Sequence, residues 1–204
     1  MKKKLAAGVA GIALSLSLLG SVLATPASAG WKPKAPKQTI TDIVAASGGT
    51  FDRNGRDYDI LLNAVQTAGL AETLATPGLD VTVWAPNDRA FIRTARDLGF
   101  TGSDEAGAWS FLVTALTGLG NGDPIPVLTA ILTYHVTPGA RNVFQVLTTK
   151  TFPTLQGGTI TRHFLTLQDA DPDIKDPNLT LPLQVRASNG VIHTIDRVLI
   201  PIDI

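Results

Sequence analysis

The chain has 204 residues, 44% of them hydrophobic, and its 17 basic residues equal its 17 acidic ones in number. This balance argues against a nucleic-acid or anionic-membrane surface, because both need clustered positive charge. The absence of cysteine excludes a thiol nucleophile, a cysteine zinc site and a disulfide framework.

The first 29 residues are typical of an export signal. Three lysines at positions 2–4 precede an apolar run over residues 5–24, and Ala27-Ser28-Ala29 has the small-x-small pattern that a signal peptidase accepts. The run approaches the roughly 20 residues that span a bilayer, so an uncleaved anchor is the alternative. Cleavage after Ala29 predicts a secreted or periplasmic protein without membrane attachment. Loss of the three lysines leaves 14 basic residues against 17 acidic ones.

The region after the signal predicts one domain behind a short linker. Residues 30–38 are rich in proline and lysine and predict a flexible tether. Residues 39–204 have the length of a single domain with a substantial core.

The first half of this domain has helical periodicity. Apolar side chains recur at spacings of three and four over residues 61–68, and Gly69 follows where a helix would end. A broad apolar stripe predicts a longer helix over residues 104–119. A proline pair then stands at the start of a third helix, where prolines are tolerated, and this helix runs to Tyr134.

A strand and a capped helix lie between the first two of these helices. Residues 80–85 form a short β-rich run that Pro86 ends. Asn87 then predicts the N-cap of a helix in which Phe91 lies on the apolar face.

From His135 onward the chain predicts short strands separated by turns. Asn189-Gly190 is the strongest hairpin signal, because both residues tolerate a positive φ and strand-like residues 183–187 and 191–200 flank them. The second flank is apolar on both faces and predicts a buried strand. Helices in one region and strands in another imply an α+β domain.

Three stretches, in this order, carry the signature of a known family. They are VTVWAPNDRAF at 81–91, LTYHVTPG at 132–139 and NGVIHTIDRVLIP at 189–201. On these stretches the chain resembles fasciclin domains over nearly all of the region after the tether. The resemblance implies a β-wedge of short strands flanked by several helices. It also implies adhesion or matrix contact outside the cell rather than catalysis.

The residues that match the family motif are expected to shape the fold. Pro86 ends a strand, Asn87 or Asp88 accepts hydrogen bonds from helix N–H groups, and Phe91 enters the core one turn later. The third stretch contributes Asn189, Gly190, His193 and Asp196.

Two segments depart from a minimal family member. One is the polar insertion FDRNGRDYD at 51–59, and the other is a helical excursion at 99–126. If the protein has a partner of its own, these insertions are the surface we expect it to use.

Tyr134 and His135 are the candidate binding segment, since the resemblance links this segment to receptor contact in adhesive animal relatives. The alternative is structural, with the histidine hydrogen-bonded inside the wedge and the tyrosine packed with its hydroxyl satisfied. The apolar neighbours Leu132 and Val136 favour the structural role.

Three sets of residues contain possible metal ligands. His135, His163 and His193 match no short zinc motif in their spacing. Residues 52–59 are rich in carboxylates, but glycine comes too early for an EF-hand loop and two arginines oppose a divalent ion. We expect a salt-bridged or turn-forming surface loop there, and a solvated loop at the acidic residues 169–176. No metal and no cofactor is therefore predicted.

Catalytic motifs such as Gly-x-Ser-x-Gly, a phosphate-binding glycine loop and His-Glu-x-x-His do not occur. A carboxylate pair for glycoside hydrolysis has no local motif and stays open. The sequence thus predicts a secreted, non-catalytic adhesion module whose partner is a cell-surface or matrix protein or polysaccharide. The alternative is an extracellular carrier of an apolar small molecule such as a carotenoid, which some relatives bind, with Trp84, Phe100 and Trp109 near the variable region.

Overall fold

The computed structural model describes residues 35–202. The predicted signal peptide at 1–29 and the first part of the predicted tether lie outside the described residues. Residues 35–38, the rest of that tether, are exposed and irregular.

Helices and strands follow one another in an order that is helical first and mostly β later. The helices are α1 (Ile40–Ser47), α2 (Asp59–Thr67), α3 (Ala71–Ala75), α4 (Asp88–Asp97), α5 (Glu105–Leu119), α6 (Ile125–Tyr134) and α7 (Val143–Thr148). The strands are β1 (Val81–Pro86), β2 (Val136–Pro138), β3 (Thr151–Pro153), β4 (Thr159–His163), β5 (Thr166–Gln168), β6 (Val185–Ala187) and β7 (Gly190–Ile195). A bilayer-spanning helix is absent from residues 35–202.

The strands form two sheets. The first has the order β2-β1-β7-β6, in which β1 and β7 are parallel and the two outer strands pair antiparallel. The second is the antiparallel sheet β3-β4-β5. Short strands in two sheets, flanked by helices, confirm the predicted α+β class.

The central pair β1 and β7 separates two apolar clusters. All six residues of each strand are buried. Because side chains alternate along a strand, Val83 of β1 packs with the helices in the larger cluster, while Trp84 packs with the second sheet in the smaller one. On β7, Ile192 and Ile195 divide in the same way. The pair therefore needs cover on both faces, and the helices and the small sheet provide it.

Helix α7 lies where the sequence predicted only strands and turns, so that prediction is wrong. A capping box fixes its start: the Asn142 side chain accepts a hydrogen bond from the Gln145 backbone N–H at 3.0 Å, and Gln145 Oε1 accepts one from the Asn142 N–H at 2.9 Å. The box satisfies two N–H groups that a helix end leaves unpaired. These local hydrogen bonds outweigh the β-branched composition of the segment.

The last strand ends at Ile195 and does not continue to Ile200 as predicted. Over residues 198–200, backbone N–H groups donate to side chains of other elements instead of to a neighbouring strand. The pairs are Val198 with Thr94 (3.0 Å), Leu199 with His135 (2.9 Å) and Ile200 with Asp169 (2.7 Å). These three residues are still buried and apolar, which is why their sequence resembles a strand.

The hairpin between β6 and β7 is present, but its loop differs from the predicted Asn-Gly turn. Ala187 pairs with Gly190, so the loop residues are Ser188 and Asn189, and neither Asn189 nor Gly190 has a positive φ. Gly190 is needed for a close approach instead. A Cβ atom there would lie 2.4 Å from the Val81 carbonyl oxygen.

The acidic loop at 169–176 is only partly solvated, contrary to prediction. Asp171 is buried, and its Oδ1 accepts hydrogen bonds from the backbone N–H groups two and three residues ahead, at 2.8 and 2.7 Å. Burial raises the pKa of Asp169 to about 7, because a carboxylate loses hydration away from water.

The buried Asn189 side chain ties the hairpin to two helices. Its Oδ1 accepts a hydrogen bond from the Ile40 N–H at 2.9 Å, at the start of α1. Its Nδ2 donates to the carbonyl oxygens of Leu74 and Thr76, at 2.8 and 3.0 Å, at the end of α3. One amide therefore satisfies three backbone groups that are distant from it in sequence.

We predict that Asn189→Ala lowers the free energy of unfolding by about 2–3 kcal/mol, because it leaves buried backbone groups unpaired. Ser188→Ala, in the same loop but exposed, should change it by less than about 0.5 kcal/mol. Urea denaturation of both variants measures the difference. Equal stability of the two variants would contradict the assigned role of Asn189.

Candidate functional site

Tyr134 and His135, the segment that the sequence singled out, lie in the interior where α6 passes into β2. Tyr134 is fully buried in the smaller apolar cluster. Its hydroxyl donates to the Thr159 carbonyl oxygen at 3.1 Å. Burial raises the pKa of Tyr134 to about 12. The ring thus joins the end of α6 to β4.

His135 connects α6 to the chain that follows β7. Its Nε2 accepts a hydrogen bond from the Leu199 N–H at 2.9 Å, so Nε2 carries no proton and Nδ1 donates to the Ile131 carbonyl oxygen at 2.8 Å. Burial lowers the pKa of His135 to about 4, against a smaller opposing effect of the Ile131 hydrogen bond. The imidazole is therefore neutral at pH 7, and its two hydrogen bonds connect α6 to the segment after β7.

The motif residues after β1 cap two helices. Asn87 Oδ1 accepts from the Ala90 N–H at 3.0 Å and caps α4. Asp88 caps a different helix, since its two carboxylate oxygens accept from the N–H groups of Asp59 and Ile60 at the start of α2, at 3.2 and 2.7 Å. Phe91 packs in the larger apolar cluster. Pro86 closes β1 opposite Ile195.

The motif residues of β7 join it to neighbouring segments. His193 is fully buried, with Nδ1 2.5 Å from the Leu183 carbonyl oxygen and Nε2 2.8 Å from that of Arg141. Its ring lies 5.5 Å from that of Trp84. Asp196 accepts from the Asn178 N–H at 2.7 Å.

The three histidines lie apart from one another and do not form a common ligand set. Within residues 35–202, the two groups of side chains close enough to share an ion consist of carboxylates alone. His163 is exposed on β4, while the other two are buried at separate hydrogen-bonded positions.

Three large apolar side chains project into solvent: Phe144 on α7 (73% exposed), Phe164 after β4 (90%) and Leu181 before β6 (77%). Phe164 stands in the turn between β4 and β5 with a φ of 56°, a conformation that a bulky residue rarely adopts. Arg162 fixes this turn, because its guanidinium donates to the carbonyl oxygens of Thr149, just after α7, and of Phe164, at 2.9 and 2.6 Å. The sequence contains no signal for these exposed side chains, because single Phe and Leu residues occur more often in the interior.

An apolar groove of about 420 Å³ lies between α4, α5, α6 and the C-terminal segment. Trp109, Phe111, Leu112, Val127, Ile131 and Ile202 are among its lining residues. The helical excursion that the sequence marked as an insertion therefore forms one wall.

The three aromatic residues proposed for an apolar ligand have different places. Trp109 lines the groove. Phe100 packs on Phe111, with ring centroids 5.6 Å apart. Trp84 is fully buried and donates to Thr137 Oγ1 at 3.1 Å, so it belongs to the core.

Comparison with known proteins gives one family and two bacterial relatives. The family model of the fasciclin domain matches residues 56–201. Protein sll1483 of Synechocystis sp. is 30% identical over 164 residues, which cover 80% of this chain and 73% of that protein. Protein sll1735 of the same organism is 29% identical over 147 residues, which cover 70% of this chain and 89% of that protein.

A solved structure with a similar fold is a FAS1 domain pair from the insect cell adhesion molecule Fasciclin I. The TM-score is 0.54 and the sequence identity 15%, over 80% of this chain and 51% of that chain. The chain thus spans about half the length of the insect domain pair, and the likeness shows the fold alone.

The interior position of His135 predicts a specific pH dependence of stability. The folded-state pKa of about 4 lies below the ordinary value of 6.5, so the unfolded chain binds the proton more readily and stability falls as pH drops below 6.5. We expect His135 to contribute a loss of about 2 kcal/mol between pH 7 and pH 5.

His135→Gln removes this titration, so the difference in unfolding free energy between the wild type and the variant should shrink by that amount over the same range. Taking this difference also cancels the pH-dependent contributions of Asp88 and Asp169, whose raised pKa values change stability in the opposite direction. Denaturation curves at pH 5, 6 and 7 measure it. A constant difference across these pH values would place His135 in contact with water.

Proposed function

We propose that this chain, which belongs to the fasciclin domain family, is a secreted, non-catalytic module that adheres to a cell-surface or matrix component. Family membership supports an interaction role outside the cell, and the export signal that the sequence predicts supports secretion. Tyr134 and His135 are buried, so we place the adhesive surface on exposed side chains instead.

The exposed Phe164 is the observation that carries the proposal. A side chain of this size is normally buried, and exposed apolar groups mark interaction sites when they occur together. Phe144 and Leu181 are exposed as well, and the backbone conformation of Phe164 is held by the Arg162 hydrogen bonds. Large aromatic residues on rigid supports give binding energy at a low cost in side-chain entropy. The same aromatic face suits either a protein pocket or the apolar face of a sugar ring.

The second candidate is a carrier of an apolar small molecule such as a carotenoid, and the groove favours it. Its volume of about 420 Å³ lies in the roughly 300–1,000 Å³ range of ligand pockets. Its walls are almost entirely apolar, which suits a ligand without charge.

For adhesion, we predict that Phe164→Asn weakens retention of the exported protein on cell envelopes from its host by about tenfold or more. Asparagine tolerates a positive φ, so the melting temperature should not fall. His163→Asn, in the same hairpin and also exposed, is the matched control and should bind like the wild type. Envelopes treated with protease or with polysaccharide hydrolases identify the partner class. Undiminished retention of Phe164→Asn would rule out this surface.

For the carrier function, we predict that an apolar polyene co-purifies with or binds to the wild type and that Ala115→Phe weakens its binding by about tenfold, because the new ring fills the groove that Ala115 lines. Thr114→Phe places the same ring on an exposed position of α5 and should leave binding unchanged. Absorbance titration measures both. Equal binding by the two variants would show that the polyene does not bind in the groove.

A further inference from the structure

Five carboxylates from three separate segments meet beside the start of α2. Asp52, Asp57 and Asp59 come from the polar insertion, Asp88 begins α4 and Glu105 begins α5. They form two overlapping triads that share Asp57, and within each triad one oxygen of every carboxylate lies within 4.8 Å of the others. We call these five residues the carboxylate cluster.

Four of the five carboxylates are buried and only Asp52 is exposed. The predicted surface loop therefore has its turn, at residues 55–56, but no salt bridge within residues 35–202, and its last residues lie in the interior. Asp57 is 6% exposed, while Asp59, Asp88 and Glu105 are also buried. Among residues 35–202, the ion pairs within 4.0 Å involve other acids, Asp97 and Asp196. The two arginines of the insertion, at positions 53 and 56, are exposed.

Within residues 35–202, two oxygen atoms of the cluster have no N–H donor. They are Asp57 Oδ1 and Asp59 Oδ2, each with negligible solvent exposure. The other oxygen of each carboxylate is satisfied, since Asp57 Oδ2 accepts from Asn54 Nδ2 at 2.9 Å and Asp59 Oδ1 accepts from the Gly49 N–H. A buried acceptor without a donor is costly, and more so when it belongs to a charged group. A hydrogen bond between the carboxyl groups of Asp57 and Asp88 can satisfy the first of these residues. A cation between the carboxylates would satisfy both of them.

We propose that the carboxylate cluster binds one calcium ion, with Asp57 Oδ1 and Asp59 Oδ2 as ligands and with Asp52, Asp88 and Glu105 completing the oxygen set. The EF-hand pattern fails for residues 52–59 because the ligands come from three segments rather than from one loop.

The number of carboxylates favours calcium over magnesium. Calcium takes six to eight oxygen ligands at about 2.3–2.6 Å in flexible geometry, and carboxylates from three segments can supply several of them. Magnesium needs ligands at about 2.0–2.1 Å in octahedral geometry, keeps several waters and is usually bound through one or two carboxylates.

Backbone groups hold these carboxylates in place before a cation arrives. The Asp52 N–H donates to Glu105 Oε2 at 2.7 Å and thereby joins the insertion to α5. A Cβ atom on Gly48 would lie 2.0 Å from Asp59 Oδ1 and 3.2 Å from Asp57 Oδ2. Glycine at this position therefore leaves the space that the two carboxylates occupy.

A surface cavity of about 700 Å³ leads to Asp52 and Glu105 and gives a route from solvent. Its other walls include Arg53, Arg89, Arg93 and Arg96. These guanidinium groups lie outside the 4.0 Å ion-pair distance from the cluster, and Arg93 pairs with Asp196 at 3.3 Å. Their charge reduces the attraction for a cation, so we expect a dissociation constant on the order of 10⁻⁴–10⁻³ M, as in extracellular calcium modules.

Calorimetric titration of the exported protein, stripped with EDTA, with calcium chloride tests the proposal. We expect one ion per chain, and a melting temperature higher by about 3–6 °C in 10 mM calcium than in EDTA. Asp59→Asn should weaken calcium binding by about tenfold or more. In EDTA the same variant should melt at or above the wild-type temperature, because it removes a buried unpaired charge.

Glu72→Gln is the matched control, since it removes one negative charge from an exposed position on α3, and its calcium affinity should equal that of the wild type. A folded wild type that takes up no calcium at 10 mM would overturn the proposal, and so would Asp59→Asn with wild-type affinity. If the variant does not fold, terbium luminescence of the wild type tests the proposed calcium site. Tyr58, between two of the proposed ligands, should sensitise terbium emission that calcium abolishes, and absence of such emission would overturn the site.

Discussion

The parallel pairing of β1 with β7 is the constraint on which the rest of the domain depends. Both strands are buried along their whole length, and their backbones approach so closely that Gly190 cannot carry a Cβ atom beside Val81. A pair with two apolar faces must be covered on both. The helices cover one face and the small sheet β3-β4-β5 covers the other. Removing either layer would expose a continuous apolar surface, so the domain folds as one unit around this pair.

Buried polar side chains then do what disulfides do in many exported proteins, in that they connect distant parts of the chain. Asn189 joins the last hairpin to α1 and α3, His135 joins α6 to the segment after β7, and Asp88 joins the start of α4 to the start of α2. Each satisfies backbone groups that would otherwise be buried without partners. Asn189, His135 and Asp88 thus each have a structural role that rests on backbone hydrogen bonding.

The sequence predicted those parts of the fold that local patterns determine. The strand at β1, the Asn87 cap and the helices α2, α5 and α6 follow from periodicity, proline and capping residues. It failed where tertiary partners decide the outcome. Residues 198–200 are as apolar as a strand, but side chains of other elements accept hydrogen bonds from their N–H groups. The carboxylate cluster could not be predicted from the sequence either, because Asp88 and Glu105 are 17 residues apart and meet Asp57 only in the folded chain.

The carboxylate cluster and the apolar groove share α5, and this links the two departures from a minimal family member. Glu105 is the first residue of α5 and accepts the Asp52 N–H, while Trp109, one turn later, lines the groove. Most residues of α5 are half-buried or exposed, so packing alone holds it less firmly than α2 or α4. A cation bound to Glu105 and the insertion would restrain the N-terminal turn of α5 and, through it, the wall of the groove. Binding at the groove and at the cluster would then be coupled, since each ligand would find the helix already ordered by the other.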